Sequence, residues 1–285
     1  VSQGGVVGYR EAMDSTLEVC VIIPAAGSGT RYAAGLEVPR SKLEEDLGGR
    51  PLLHRTIELF TNYEQPDVSI HSIIVAGPHD PAQMEAFRTR HGDKLGLLGA
   101  KLVPGGKTHR YETVHAALAH VPDACTHVAV HDAARPCTSR DLLDRLFGAA
   151  MKFAAVVPGM EIADTVKRIG PDEIGDPDPD PLASILGEGV RGPTYRAVEG
   201  TLDRKGLYTV QTPQVFEASL LKRAYGQSDL SSTDDAGLVE RLGERVIVVP
   251  GEARNIKVTR PEDVHLARAI MGVHGPAERA AHKKF

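Results

Sequence analysis

The run Val19-Cys20-Val21-Ile22-Ile23 stops at Pro24-Ala25-Ala26-Gly27-Ser28-Gly29. Five apolar, largely β-branched residues without polar alternation predict a buried strand over 19–23. The small residues after it predict a loop whose backbone N–H groups can approach an anion closely. Two cations follow, Arg31 and Lys42. A strand, a phosphate-sized loop and two cations are what a nucleoside triphosphate requires, because charge that builds up on a reacting phosphate has to be neutralised. The plain alternative is a tight strand-to-helix turn with solvated charges.

Known phosphate loops have stricter spacing. A Walker A loop needs G-x-x-x-x-G-K-[ST], and here Arg31 and Lys42 fall elsewhere. A dinucleotide fingerprint needs G-x-G-x-x-G; Gly27 and Gly29 supply two glycines, but Tyr32 stands at the third. The loop instead resembles the nucleotidyltransferase signature of sugar-phosphate pyrophosphorylases.

The rest of the chain repeats the alternation. Strands are predicted over 19–23, 70–76, 100–103, 127–131, 154–157 and 246–249, and helices over 51–63, 81–90, 110–120 and 139–150. Pro51 suits the first helical position and Ser139 an N-cap. This order implies βαβ units, a mostly parallel sheet and helices on both faces. Ligands of such sheets bind beyond the carboxyl ends of the strands. Residues 170–200 break the rhythm. They are rich in Gly, Pro and Asp, so they read as a flexible arm, with Asp176, Asp178 and Asp180 in a solvated turn. The expected organisation is a disordered leader (1–17), one domain (18–272) with the arm at about 160–205, and a frayed basic tail (273–285).

Composition narrows the function. The 285 residues are 41% hydrophobic, enough for a sizeable core, and carry a net charge of −5. A pI near 6.2 leaves no polyanion footprint, so nucleic acid is not expected as a partner. No run approaches a membrane span. Cys20, Cys125 and Cys137 are odd in number and form no C-x-x-C, which argues against a disulfide framework or zinc cage and predicts a reducing, cytoplasmic location.

Chemistry-bearing residues recur after the predicted strands. His131-Asp132-Ala133-Ala134-Arg135-Pro136 follows the fourth; Asp132 is a candidate ligand for Mg²⁺ or a substrate hydroxyl, or half of a structural salt bridge with Arg135. Gly105 and Gly106 precede Lys107, Arg110 and Thr113 at a helix start, a second anion- or base-facing loop. Lys257 sits in a short β-prone run before Pro261 and Glu262 open the last helix. Asp234 and Asp235 stand at a helix start, as caps or facing the site. His131 reads as a packing or hydrogen-bonding residue rather than a base.

Taken in order, IPAAGSGTR, Lys42, HDAARP, DTVKR, GLYTVQTPQVF, STDDAGLVE and NIKVTRPED resemble the 2-C-methyl-D-erythritol 4-phosphate cytidylyltransferases of non-mevalonate isoprenoid synthesis. The resemblance covers roughly residues 19–271. It implies a Rossmann-like α/β nucleotidyltransferase fold with a protruding arm, a homodimer formed through that arm, and a Mg²⁺-dependent reaction of CTP with a polyol phosphate. By position it implies that Arg31, Lys42 and Lys257 are catalytic. Pro24, Ala25, Ala26, Gly27, Gly29, Gly105, Gly106, Arg110, Thr113, Asp132 and Ala133 would bind the nucleotide. Arg135, Thr165, Arg204 and Thr212 would serve the substrate. Where the family has Pro-Lys-Gln-Tyr or similar, this chain has Ser41-Lys42-Leu43-Glu44, which predicts a differently oriented lysine loop. Ribitol 5-phosphate cytidylyltransferase, another sugar-1-phosphate pyrophosphorylase, and a non-catalytic nucleotide sensor remain as alternatives.

Overall fold

The computed structural model describes residues 16–27, 29–34, 40–175 and 195–275. The leader before Thr16, the tail after Gly275, Ser28, and the arm's Asp176, Asp178 and Asp180 lie outside these, and with them the expected disorder of the arm.

The strands foreseen from sequence are β1 (Leu17–Pro24), β2 (Val68–Gly77), β3 (Ala100–Pro104), β4 (His127–Val130), β5 (Ala155–Glu161) and, near the C-terminus, Ile247–Pro250. A short α1 (Thr30–Ala33) follows the first loop. The foreseen helices are α2 (Leu52–Thr61), α3 (Pro81–Leu97), α4 (Arg110–Leu118) and α5 (Arg140–Ala150). Pro51 is the N-cap of α2 rather than its first residue. Ser139 caps α5 by accepting from the Leu142 N–H at 3.0 Å. Helix α3 runs past the expected stop at Arg90, because burial of His91 and Leu95 outweighs the cost of Gly92 and Gly96.

Residues Glu161–Thr209 form a separate compact unit. Within it β6 (Lys167–Ile174) and β7 (Tyr195–Thr201) pair antiparallel as a hairpin. Gly170 and Pro171 and the lack of a core to alternate against hid these strands from the sequence pattern. The chain returns on β8 (Tyr208–Val210) and then forms β9 (Gln214–Glu217), α6 (Ala218–Tyr225), α7 (Ala236–Arg241), β10 (the Ile247–Pro250 strand) and α8 (Pro261–Met271).

The main sheet runs β10-β5-β9-β4-β1-β2-β3. Strand β1 is parallel to β2 on one side and to β4 on the other. The chain steps outward from β1 to β3 and then returns across β1, so the crevice at the ends of β1 and β4 is the switch point where ligands bind. β9 lies antiparallel between β4 and β5. Its place depends on pairing with strands far away in the chain, so the local pattern did not reveal it.

Alternate residues of each central strand feed two cores. Val19, Val21 and Ile23 of β1 pack with α2, α5 and α8 residues such as Ile57, Phe147 and Ala267. Cys20 and Ile22 pack on the other face with Val114 of α4, Leu221 of α6 and Val239 of α7. Helices therefore cover both faces, as the unbroken apolar run requires. Val273, assigned to the tail, packs against the first core instead. Among the described residues no helix is long and apolar enough to cross a membrane.

Candidate active site

The crevice is a cleft of about 500 Å³. Pro24, Ala25, Ala26, Gly27 and Gly29 line it from β1, Lys42 from the next turn, Gly106, Arg110 and Thr113 from the start of α4, Asp132 and Ala133 from the end of β4, and Lys257 from a C-terminal loop. Twelve expected residues thus share one cavity. Arg31 falls in α1, with its side chain outside the described part.

In the first loop, Ala25 N–H donates to Ala76 O at 2.8 Å, anchoring the loop to β2. The N–H groups of Tyr32 and Ala33 turn back to Gly29 O, which begins α1. Gly29 has φ 64, a conformation that favours glycine. A Cβ on Gly27 would touch nothing within 4 Å, so packing does not demand that glycine. Its smallness leaves room for a ligand.

The second loop uses its glycines differently. Gly105 N–H donates to Gly77 O at 2.9 Å, and Gly106 N–H to Thr113 Oγ1 at 3.1 Å. Both donors are engaged within the protein and do not form an anion nest. A Cβ on Gly105 would lie 2.5 Å from Gly77 O, and one on Gly106 2.2 Å from Glu112 Cβ. The pair is glycine because the loop passes against β2 and α4. Gly105 sits behind Gly106 and does not line the cleft.

Asp132 is the centre of the charge pattern. It is 8% exposed. Its Oδ2 is 2.7 Å from Lys257 Nζ and 3.6 Å from Arg135 Nε; its Oδ1 accepts from Arg110 Nε at 3.2 Å. Burial pushes this carboxyl up, but Arg110, Lys257 and Arg135 more than offset it and hold it well below the usual carboxylate range. Arg110 Nη2 also lies 2.8 Å from Oδ2 of the fully buried Asp235, close in charge though off the hydrogen-bonding direction. Three cations against two carboxylates leave the cluster positive by one.

Lys42 opens a 3₁₀ turn, Lys42–Glu44, and its Nζ donates to Val258 O at 3.1 Å. That carbonyl adjoins Lys257, so the two lysines approach the cleft from neighbouring points. The β-prone run around Lys257 is a loop; Val258 N–H fastens it to Ala134 O at 2.8 Å.

Two residues expected at the substrate lie beneath the cleft. Arg135 donates through Nη1 to Asn255 O at 2.6 Å, and its side chain is buried behind Asp132. Thr212 Oγ1 accepts from Asp132 N–H at 3.0 Å and rests 3.2 Å from His131 Nδ1. Both hold the Asp132 loop in place. His131 is fully buried, its Nε2 3.1 Å from Arg135 O and its ring edge-on to Phe60. Burial pushes its pKa down to about 4, so it is a neutral packing residue. Thr165 and Arg204 belong to the Glu161–Thr209 unit, where both are exposed near the base of its hairpin.

Among the described residues no group of three His, Cys, Asp or Glu side chains is arranged to hold a metal ion. A divalent cation on Asp132 would have to displace Lys257 or Arg110. The donor set fits a cation that arrives on triphosphate oxygens, not one held by protein ligands alone.

The family model described as 2-C-methyl-D-erythritol 4-phosphate cytidylyltransferase, IspD, matches residues 19–176 and 190–273. The chain belongs to this family. It is similar to a 2-C-methyl-D-erythritol 4-phosphate cytidylyltransferase of Frankia casuarinae, at 37% identity over 96% of this chain and 88% of that one. Another, from Rhodococcus jostii, is 36% identical over 90% and 97%. Among solved structures, the 2-C-methyl-D-erythritol 4-phosphate cytidylyltransferase of Thermus thermophilus has 30% identity and a TM-score of 0.62, covering 90% of this chain and 100% of that one. A 4-diphosphocytidyl-2C-methyl-D-erythritol synthase reaches 0.65 at 27% identity, over 90% and 99%. Membership in the IspD family makes the chain an enzyme.

The sequence did not single out Tyr32, Gln83 or Thr259, which also line the cleft. Tyr32 was visible only as the residue that spoils a G-x-G-x-x-G pattern. Asp234 and Asp235 divide the two roles left open for them. Asp234 Oδ1 accepts from Gly237 N–H at the start of α7, and Asp235 reaches Arg110 and the Tyr225 hydroxyl.

Proposed function

We propose that the cleft binds CTP as its Mg²⁺ complex and transfers the cytidylyl group to 2-C-methyl-D-erythritol 4-phosphate. A phosphate oxygen of the acceptor attacks the α-phosphorus, the bond to the β,γ-diphosphate breaks, and pyrophosphate leaves. The observation that carries this reading is the buried Asp132 holding Lys257 and Arg110 beside the first loop, with Lys42 at Val258. The attacking oxygen belongs to a phosphate monoester that is already largely ionised at neutral pH, so no base is needed. The obstacle is to align two polyanions. Positioning and positive charge overcome it, as in phosphoryl transfer generally.

In this reading Ala25, Ala26, Gly27 and Gly29 take the nucleotide, and Arg31, Lys42 and Lys257 stabilise charge at the α-phosphate. Asp132 fixes Lys257 and Arg110, and a divalent cation enters on the triphosphate. Thr165 and Arg204 reach the acceptor phosphate across a homodimer. Support for a dimer through the arm is a set of apolar side chains on the hairpin, Ile169, Ile174, Tyr195 and Val198, each 44–57% exposed. Three buried free thiols fit a reducing cytoplasm. Family membership favours methylerythritol phosphate over ribitol 5-phosphate.

The test is pyrophosphate release with Mg²⁺, pairing CTP, UTP, GTP or ATP with each of methylerythritol 4-phosphate, ribitol 5-phosphate and glucose 1-phosphate. Turnover confined to CTP with methylerythritol 4-phosphate is expected. A preference for ribitol 5-phosphate overturns the acceptor, and nucleotide binding without turnover returns the sensor reading.

A further inference from the structure

The turn that carries Lys42 is closed by an ion pair across its own ends. Arg40 donates through Nε and Nη2 to the two oxygens of Glu45, at 2.5 and 3.3 Å. Inside this ring Ser41 Oγ accepts from Leu43 N–H at 3.3 Å, and Glu45 N–H donates to Lys42 O at 3.2 Å. Leu52 N–H donates to Glu45 O at 2.8 Å, which ties the ring to α2. On its outer side Arg90 of α3 meets Glu44 at 2.7 Å.

The two partners are unequal. Glu45 is 7% exposed, whereas the Arg40 side chain is 60% exposed. A carboxylate buried to this degree is costly unless it is paired. Its second neighbour is the hydroxyl of Tyr32, itself 1% exposed. Tyr32 is a wall of the cleft and belongs to α1, directly after the first loop. Glu45 therefore joins the loop side of the cleft to the backbone that carries Lys42.

We propose that Glu45 is a positioning residue: through Arg40 and Tyr32 it holds the turn, and so places the Lys42 ammonium at the reacting phosphate. This rests on the cytidylyltransferase reading given above. It accounts for how a lysine loop without the Pro-Lys-Gln-Tyr pattern keeps its lysine in place. A group that must act on a transition state is sensitive to small displacements, and about 1 Å is enough to cost on the order of 100-fold in rate.

The experiment compares wild type with Glu45→Gln, Arg40→Ala, Tyr32→Phe and the Arg40→Ala/Glu45→Gln double variant. Three quantities are read: kcat and KM with CTP and methylerythritol 4-phosphate, melting temperature, and the rate at which an amine-acylating reagent labels Lys42 and Lys257 without substrate. Glu45→Gln is expected to lower kcat about tenfold or more and to leave KM for CTP within about threefold. Lys42 labelling should change severalfold while Lys257 labelling stays constant, and the double variant should be no worse than Glu45→Gln, since the two side chains act as one unit. A folded Glu45→Gln enzyme with kcat within about threefold of wild type and unchanged Lys42 labelling overturns the proposal. Should Glu45→Gln melt below the assay temperature, Arg40→Ala decides by the same criteria, because its side chain is exposed. Should wild type turn over no nucleotide, the functional reading fails, and the labelling comparison alone judges the positioning role: equal Lys42 labelling in wild type and variant overturns it.

Discussion

Lys257 Nζ lies 2.7 Å from Asp132 Oδ2, although the two residues come from loops far apart in the chain. The same carboxylate holds Arg110 and Arg135, so one buried anion organises three cations at the mouth of the sheet.

Replacing Asp132 by Asn leaves those cations with no charged partner at that point. Breaking a buried pair in this way costs about 3–5 kcal/mol. The folded-state pKa of Asp132 is depressed, so its contribution is present above the ordinary carboxylate range and is lost as pH falls from that range toward the depressed folded-state value. Denaturant unfolding at neutral pH should show the loss in Asp132→Asn, and the gap to wild type should narrow in acid. Equal stability at pH 7 would remove Asp132 from its central role.

The two glycine loops should respond differently to a methyl group. Gly106→Ala places a Cβ 2.2 Å from Glu112 Cβ and should destabilise the fold by at least about 1–3 kcal/mol. Gly27→Ala meets no atom within 4 Å, so its melting temperature should match wild type while its affinity for CTP falls. Thermal melting with and without CTP separates the two cases.

Acid should unfold the protein partly through two histidines. Burial pushes both His131 and His54 down to about 4, the latter helped by His91 and Lys94. Between 6.5 and 4 the unfolded chain therefore binds more protons than the folded one, and stability falls as pH falls through that window. For His131 the total is about 3 kcal/mol. Nitrogen-15 spectra at about pH 5.5, inside that window, should show both imidazoles neutral; a protonated His131 there would contradict its burial.

Lys42→Ala should lower kcat by on the order of 100-fold or more, because its charge acts mainly on the transition state. The dissociation constant for CTP should move far less. Arg204→Ala should instead raise KM for the polyol phosphate more than for CTP. Steady-state kinetics with each substrate varied in turn distinguishes the two, and a kcat within about threefold for Lys42→Ala would end its assignment.

Chelation separates substrate metal from structural metal. With EDTA, turnover should stop while the melting temperature of the nucleotide-free protein stays the same, since no described residues form a metal cage. A fall in melting temperature would reveal a resident ion.

Much of the fold was legible because its signals are local. The apolar run of β1, the small residues after it, Ser139 before α5 and Pro261 at the first position of α8 each state their structure within a few residues. β9 was not legible: its Val215 and Phe216 serve opposite cores, and its place between β4 and β5 depends on strands far away in the chain.

From the order of residues alone follow a sheet covered on both faces, a loop of small residues beyond its first strand, and the set of cations and carboxylates available to a nucleotide. Apolar period and residue size are properties of neighbours in the chain, so they can be read there. What those residues do to one another was set in three dimensions. Folding put Arg135 and Thr212 behind Asp132, engaged the Gly105 and Gly106 N–H groups inside the protein, and brought Asp235 to Arg110 and Glu45 to Arg40. Coulomb and hydrogen-bond energies depend on distance and burial in space, and no spacing along the chain specifies either.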